Sequence, residues 1–82
     1  MPAKLTASDY AILSFAEQNG EVEEGDPIHN DGAPFPVERR VLLRLAHDRL
    51  LKLNPARAFS EDSWSITDAG MDALQNRYSE VA

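Results

Sequence analysis

Cysteine is absent from the chain, which excludes a disulfide framework and any thiolate-ligated metal site. Long apolar runs are absent too, and none approaches the roughly 18 residues that a membrane span requires. The opening MPAKLTASDY carries a single lysine with no apolar block behind it. No secretory signal is expected there, and a cytoplasmic location is the simple reading. There is no glycine-rich phosphate loop, and no Ser-His-acid grouping in a recognisable context. Basic residues are missing from positions 9–31, where Asp9, Glu17, Glu21, Glu23, Glu24, Asp26 and Asp31 stand without one Lys or Arg.

What is present suits one small domain. The apolar fraction of 43% over 82 residues is enough for a real core, although a chain of this size buries only about 60–65% of its unfolded surface. The net charge of −6 disfavours a polyanion partner, yet the charge is unevenly spread. Residues 37–57 carry Arg39, Arg40, Arg44, Arg49, Lys52 and Arg57 against only Glu38 and Asp48, a local +4 in an acidic protein.

Periodicity predicts three helices. Residues 6–19, TASDYAILSFAEQN, start with Thr6 as a cap and Asp9 in capping-box position. Leu5 and Tyr10 have staple spacing, Ile12, Leu13, Phe15 and Ala16 form an apolar face, and Gly20 suits the end. Residues 36–49 predict a second helix with Pro36 at its first position. Its Val41, Leu42 and Leu45 share a face that must be buried, while Arg40, Arg44 and His47 lie on another, with Leu43 and Arg39 beside it. Thr67 caps a third helix over 67–80, with Met71, Leu74, Tyr78 and Val81 on one side.

Between the first two helices, GEVEEGDPIHNDGAPFP shows neither helical nor strand period. Its prolines and glycines predict an irregular acidic loop over 20–35, with at most a short strand near Val22. After the second helix the period changes. LLKLN and ARAF, interrupted at Asn54-Pro55, and the alternating WSIT predict an antiparallel hairpin over 51–59 and 63–67. Ile12, Phe15, Leu42, Leu45, Trp64, Ile66, Met71 and Leu74 are expected to meet in the core, with Phe59 also inside.

Helix, loop, basic amphipathic helix, hairpin and capped helix is the order of a winged helix-turn-helix domain. VERRVLLRLAHDRLLKL resembles the recognition helix and following strand of small bacterial or phage winged-helix regulators. WSITDAGMDAL resembles the close of the wing and the next helix, where apolar-Thr-acid-x-Gly is common. The resemblance covers about residues 6–80. It implies an α+β fold, mainly helical, with three helices and a two- or three-stranded antiparallel sheet. The sequence departs from the pattern at three places: no second helix is evident within 21–35, Arg49 stands where glycine or asparagine is usual, and Glu61 and Asp62 occupy the wing tip.

Two functions follow as expectations. In the first, the resemblance implies a transcription regulator on double-stranded DNA. Arg40 and Arg44 would reach guanine edges or phosphates, with Arg39, Lys52 and Arg57 on phosphates and His47 on a base or phosphate. In the second, the acidic residues Glu17, Glu21, Glu23, Glu24, Asp26 and Asp31 are the binding surface for a basic protein. Small acidic phage proteins that block nucleic-acid machines, anti-CRISPR proteins among them, work in this way. A homodimer through the first or last helix, using Leu5, Tyr78 and Val81, is a further expectation. His29 with Asp26 and Asp31 matches no metal-ligand spacing, so no metal, cofactor or enzyme chemistry is expected.

Overall fold

In the computed structural model, which describes residues 5–30, 33–58 and 61–81, Thr6 opens the first helix, α1, over Ala7–Asn19. The Thr6 hydroxyl accepts the Asp9 N–H at 3.1 Å and the Asp9 carboxylate accepts the Thr6 N–H at 3.0 Å. The reciprocal capping box thus forms as its spacing predicts. Gly20 ends the helix in the left-handed region at φ 84°, where a side chain would be strained.

The described residues of 20–35 are not the irregular loop expected of them, and they hold strands and not a helix. Val22 forms a bridge with Trp64, its N–H and C=O each hydrogen-bonded at 2.8 Å. Asp26 then organises a turn by accepting the Glu23 N–H at 2.8 Å. Beyond it, β1 (Pro27–Asn30) and β2 (Ala33–Pro36) pair as an antiparallel hairpin.

The prolines that argued against a strand are tolerated because of where they sit in the ladder. Antiparallel pairs alternate between hydrogen-bonded and non-bonded. The Val37 N–H donates to the Asp26 carbonyl at 3.1 Å, which makes 26/37 a bonded position. Pairs Pro27/Pro36 and His29/Pro34 are therefore the non-bonded ones. There an N–H would point away from the partner strand, so a proline loses nothing within the hairpin. The same absence of donors blunts the hairpin's outer edge against further strand pairing.

Pro36 accordingly closes β2 instead of opening a helix, and α2 is shorter than expected, Arg39–His47, with Glu38 at its N-cap. Arg49 follows α2 at φ 66°. Its N–H donates to the Ala46 carbonyl at 3.0 Å, and that of Leu50 to the Leu45 carbonyl at 2.9 Å. These two bonds are a Schellman stop built on an arginine, in the left-handed position where glycine is usual.

The second hairpin pairs β3 (Leu51–Asn54) with β4 (Ser63–Ile66), in register Leu51 with Ile66 and Leu53 with Trp64. Pro55 ends β3, so the strand does not run to residue 59, and Phe59 lies outside the described residues. Counting the Val22 bridge, β4 has a backbone partner on each side. The last helix, α3, spans Asp68–Val81. The Thr67 hydroxyl accepts the Gly70 N–H at 3.0 Å and donates to the Arg49 carbonyl at 2.6 Å, tying the start of α3 to the end of α2. A Cβ at Gly70 would lie 2.4 Å from the Leu50 carbonyl oxygen. Glycine is therefore dictated by close approach at the end of the ITDAG stretch.

The fold is α+β, with three helices and two two-stranded antiparallel sheets among the described residues. Packing follows from these faces. Helix α1 lies against β1, β4 and α3, while α2 rests on β3. Ile12, Leu42, Leu45, Trp64 and Leu74 are buried as the pattern predicts, with Phe15 and Ile66 partly buried against them. Met71 is half-buried. The core also takes Leu13, Ala16, Val22, Ile28, Val37 and Leu51. Leu5 is partly buried against this cluster; the side chains of Tyr78 and Val81 lie outside the described residues. No helix among the described residues is long and apolar enough to cross a membrane.

Candidate interaction surface

The residues of α2 that sequence groups as one basic face are divided by the structure among different carboxylates. Arg44 reaches Asp9, thirty-five positions away on α1, in a close ion pair. Asp9 is only 1% exposed, and its two oxygens are taken by the Arg44 guanidinium and the Thr6 N–H. A buried carboxylate needs such full satisfaction, because an ion without partners in the interior is costly. Arg44 thus supports the start of α1.

Arg40 is different. Its side chain is 83% exposed, and Nε donates to Glu38 Oε2 at 2.5 Å across one turn of surface. A pair so exposed is held weakly and exchanges with other partners. Arg44, Arg40 and Val41 of α2 line one side of a groove of about 260 Å³, with Asp9 and Ile12 of α1 and Phe35 of β2 opposite.

Arg39, the first residue of α2, faces elsewhere. One guanidinium nitrogen donates to Asp62 Oδ2 at 3.0 Å, and the other lies 3.8 Å from Glu24 Oε1. Its central carbon stands 5.4 Å from the centroid of the Trp64 ring, a cation–π distance. The other Asp62 oxygen accepts the Ala56 N–H at 2.6 Å. The hydrogen bond from Arg39, then that from Ala56, hold the Asp62 carboxyl below its usual 3.8, while partial burial opposes them and the charge of Arg39 assists. Glu61 and Asp62 therefore differ in role in the β3–β4 connection: Asp62 is turned inward on Arg39, whereas Glu61 is exposed.

The remaining cations expected to touch DNA do not join these three. His47 is almost fully exposed in the last turn of α2, 3.9 Å from Asp48. Lys52 is exposed on β3. Arg57 lines a separate groove of about 290 Å³ with Glu21, Glu23 and Glu61. The structure thus brings Arg40 and Arg44 together and separates Arg39 and Arg57 from them.

The acidic set is also sorted. Glu17 and Glu21 are exposed and Glu23 is half-buried. Glu21 accepts the Ser63 hydroxyl at 3.0 Å. Asp26 is occupied by the Glu23 turn and Glu24 leans toward Arg39. Asp31 lies outside the described residues. Glu61 joins Glu21 and Glu23 around the second groove, an association across 38 positions that no local pattern carries. Among the described residues no group of three or more His, Cys, Asp or Glu side chains is placed to hold a metal ion.

Two leucines are exposed among the described residues. Leu43, at the middle of α2, is 46% exposed and Leu53 on β3 is 39% exposed. Leu43 stands one position before Arg44 and four before His47, so it interrupts the polar side of the helix with an apolar one. Comparison of the chain with protein-family models, with curated proteins and with solved structures finds no match.

Proposed function

We propose that this chain is a winged-helix domain used for protein contacts, with an acidic surface that engages a basic partner. The fold reading is supported by the Val22–Trp64 bridge, which places a third backbone segment beside β4 between α1 and α2. In that reading α2 is the recognition helix, β3–β4 the wing, and the β1–β2 hairpin stands where the second helix of such domains would be. The hairpin packs on α1, and its Ile28 is buried, as is Val37 just after it.

One observation carries the choice of partner. The three arginines of α2 meet four carboxylates of their own chain, at Asp9, Glu24, Glu38 and Asp62. Phosphate binding draws its strength from cations that release counterions on contact. A helix whose arginines already face carboxylates of their own chain, in a chain of net charge −6, has less of that to offer. Glu17, Glu21 and Glu61 remain exposed, with Glu23 half-buried beside them, on the other side of the balance. Opposite charges across an interface speed encounter and fix register.

A second reading, duplex DNA, is favoured by the exposure of Arg40, His47 and Lys52 on or beside α2. Two measurements separate them. Titration with duplex DNA at low salt should find no affinity tighter than about 100 μM, the weak end of non-specific binding. Affinity capture from host lysate should retain a basic protein with the wild type and with Arg40→Ala. It should lose that protein when Glu17, Glu21 and Glu23 are reversed to lysine. DNA affinity that falls with Arg40→Ala, and capture indifferent to the reversals, would favour the second reading.

A further inference from the structure

Arg39 is half-exposed, yet its guanidinium is occupied from two elements. Asp62 comes from the β3–β4 connection and Glu24 from the turn before β1, each facing a different terminal nitrogen. The Trp64 ring stands against the same group. A forked guanidinium with two anionic oxygens on its two arms is the arrangement in which arginine takes a phosphate. Glu38, the nearest other acid on α2, is engaged with Arg40.

We propose that Asp62, assisted by Glu24, is an autoinhibitory contact that competes with the phosphate backbone of duplex DNA for Arg39. The carboxylate of Asp62 occupies a guanidinium nitrogen that a backbone phosphate would need. Its other oxygen, fixed by the Ala56 N–H at 2.6 Å, holds it there at little further ordering cost. An external phosphate must displace a tethered anion whose effective concentration is high. This competition holds whether the acidic face has a protein partner or not, so its test is independent of the capture experiment above.

The test is binding of a DNA duplex of about 20 base pairs at about 50 and 200 mM salt, the range in which phosphate contacts show. Asp62→Asn keeps an oxygen for the Ala56 N–H and removes the charge. It should raise affinity about tenfold at the lower salt and steepen the log–log salt slope by about 0.9, the signature of one added phosphate contact. Asp72→Asn removes the same charge from an exposed position on α3; it should leave the slope unchanged. Adding Arg39→Ala to Asp62→Asn should abolish the gain. Circular dichroism monitors folding. If Asp62→Asn fails to fold, Glu24→Gln, which leaves the Ala56 bond intact, should show the same steepening with a smaller gain. Equal effects of Asp62→Asn and Asp72→Asn overturn the proposal. So does a gain that survives Arg39→Ala, or no gain in either latch variant.

Discussion

Arg44→Ala should behave as a stability mutation before it behaves as a binding mutation. Removing one partner of a buried ion pair typically costs about 3–5 kcal/mol, because the other charge is left behind. Two features of this site lower that figure. The Arg44 side chain is 46% exposed, so truncation lets water reach the Asp9 carboxylate. Asp9 also keeps its hydrogen bond from the Thr6 N–H at 3.0 Å. A loss of about 2 kcal/mol remains, a large share of the roughly 5–8 kcal/mol expected for so small a domain. Asp9→Asn, by contrast, strands only a half-exposed guanidinium and retains a carbonyl for Thr6, so it should cost about 1 kcal/mol. The diagnostic is the double variant. With Arg44 already truncated, Asp9→Asn removes the stranded charge and should recover about 1 kcal/mol, so that the double variant is more stable than Arg44→Ala alone. Urea denaturation at pH 7, with the slope checked for constancy, measures all three. Simple addition of the two losses, or an Arg44→Ala loss below about 0.5 kcal/mol, would refute the account of Arg44 as the counter-charge of Asp9.

Gly70→Ala should destabilise by about 1–3 kcal/mol by denaturation, because the new methyl meets the Leu50 carbonyl, a backbone atom that cannot turn aside. Arg49→Gly should stabilise by about 0.5–1 kcal/mol in the same assay. The left-handed φ of 66° strains arginine and not glycine, and the bonds from Arg49 and Leu50 that close α2 are all backbone. For Asp62 the folded carboxyl titrates below its usual 3.8, so its contribution to stability is complete above that pH and is lost as pH falls through the folded value. Asp62→Asn should therefore flatten the acid limb of stability against pH below about 3.8 and leave the shape above it unchanged; identical acid limbs would contradict the Arg39 contact.

Elements set by local chemistry were legible within a residue or two. The capping box fixes the start of α1, the Thr67 hydroxyl that of α3, and the change of period after Arg49 marks β3. The β1–β2 hairpin was not read, although Asp31-Gly32 between Asn30 and Ala33 is a strong two-residue hairpin signal. Within residues 20–35 the prolines and glycines predict a break. The effect of a proline in fact depends on whether its missing donor falls at a bonded or a non-bonded pair, and that is known only once the register is known. Pro36 lengthens the predicted α2 for a separate reason, since it fits a first helical position as well as a strand end.

The candidate surface was less legible than the fold, for a physical reason. A helical wheel tells which α2 side chains point away from the core, and it placed Arg40, Arg44 and His47 outward. It cannot tell which carboxylates come to meet them. Asp9 arrives at Arg44 from thirty-five positions upstream and Asp62 at Arg39 from twenty-three downstream. Along the chain, residues 37–57 form a positive block. In space the block is partly countered, because acids from α1, the turn before β1 and the β3–β4 connection are folded onto Arg44 and Arg39. Coulomb interactions depend on separation in space and on burial, and hardly on order in sequence. A run of charge therefore overstates a binding face whenever the fold supplies its counter-charges from elsewhere. Here the acidic residues so used stabilise the domain, and those left over, Glu17, Glu21, Glu23 and Glu61, set the sign of what a partner would meet.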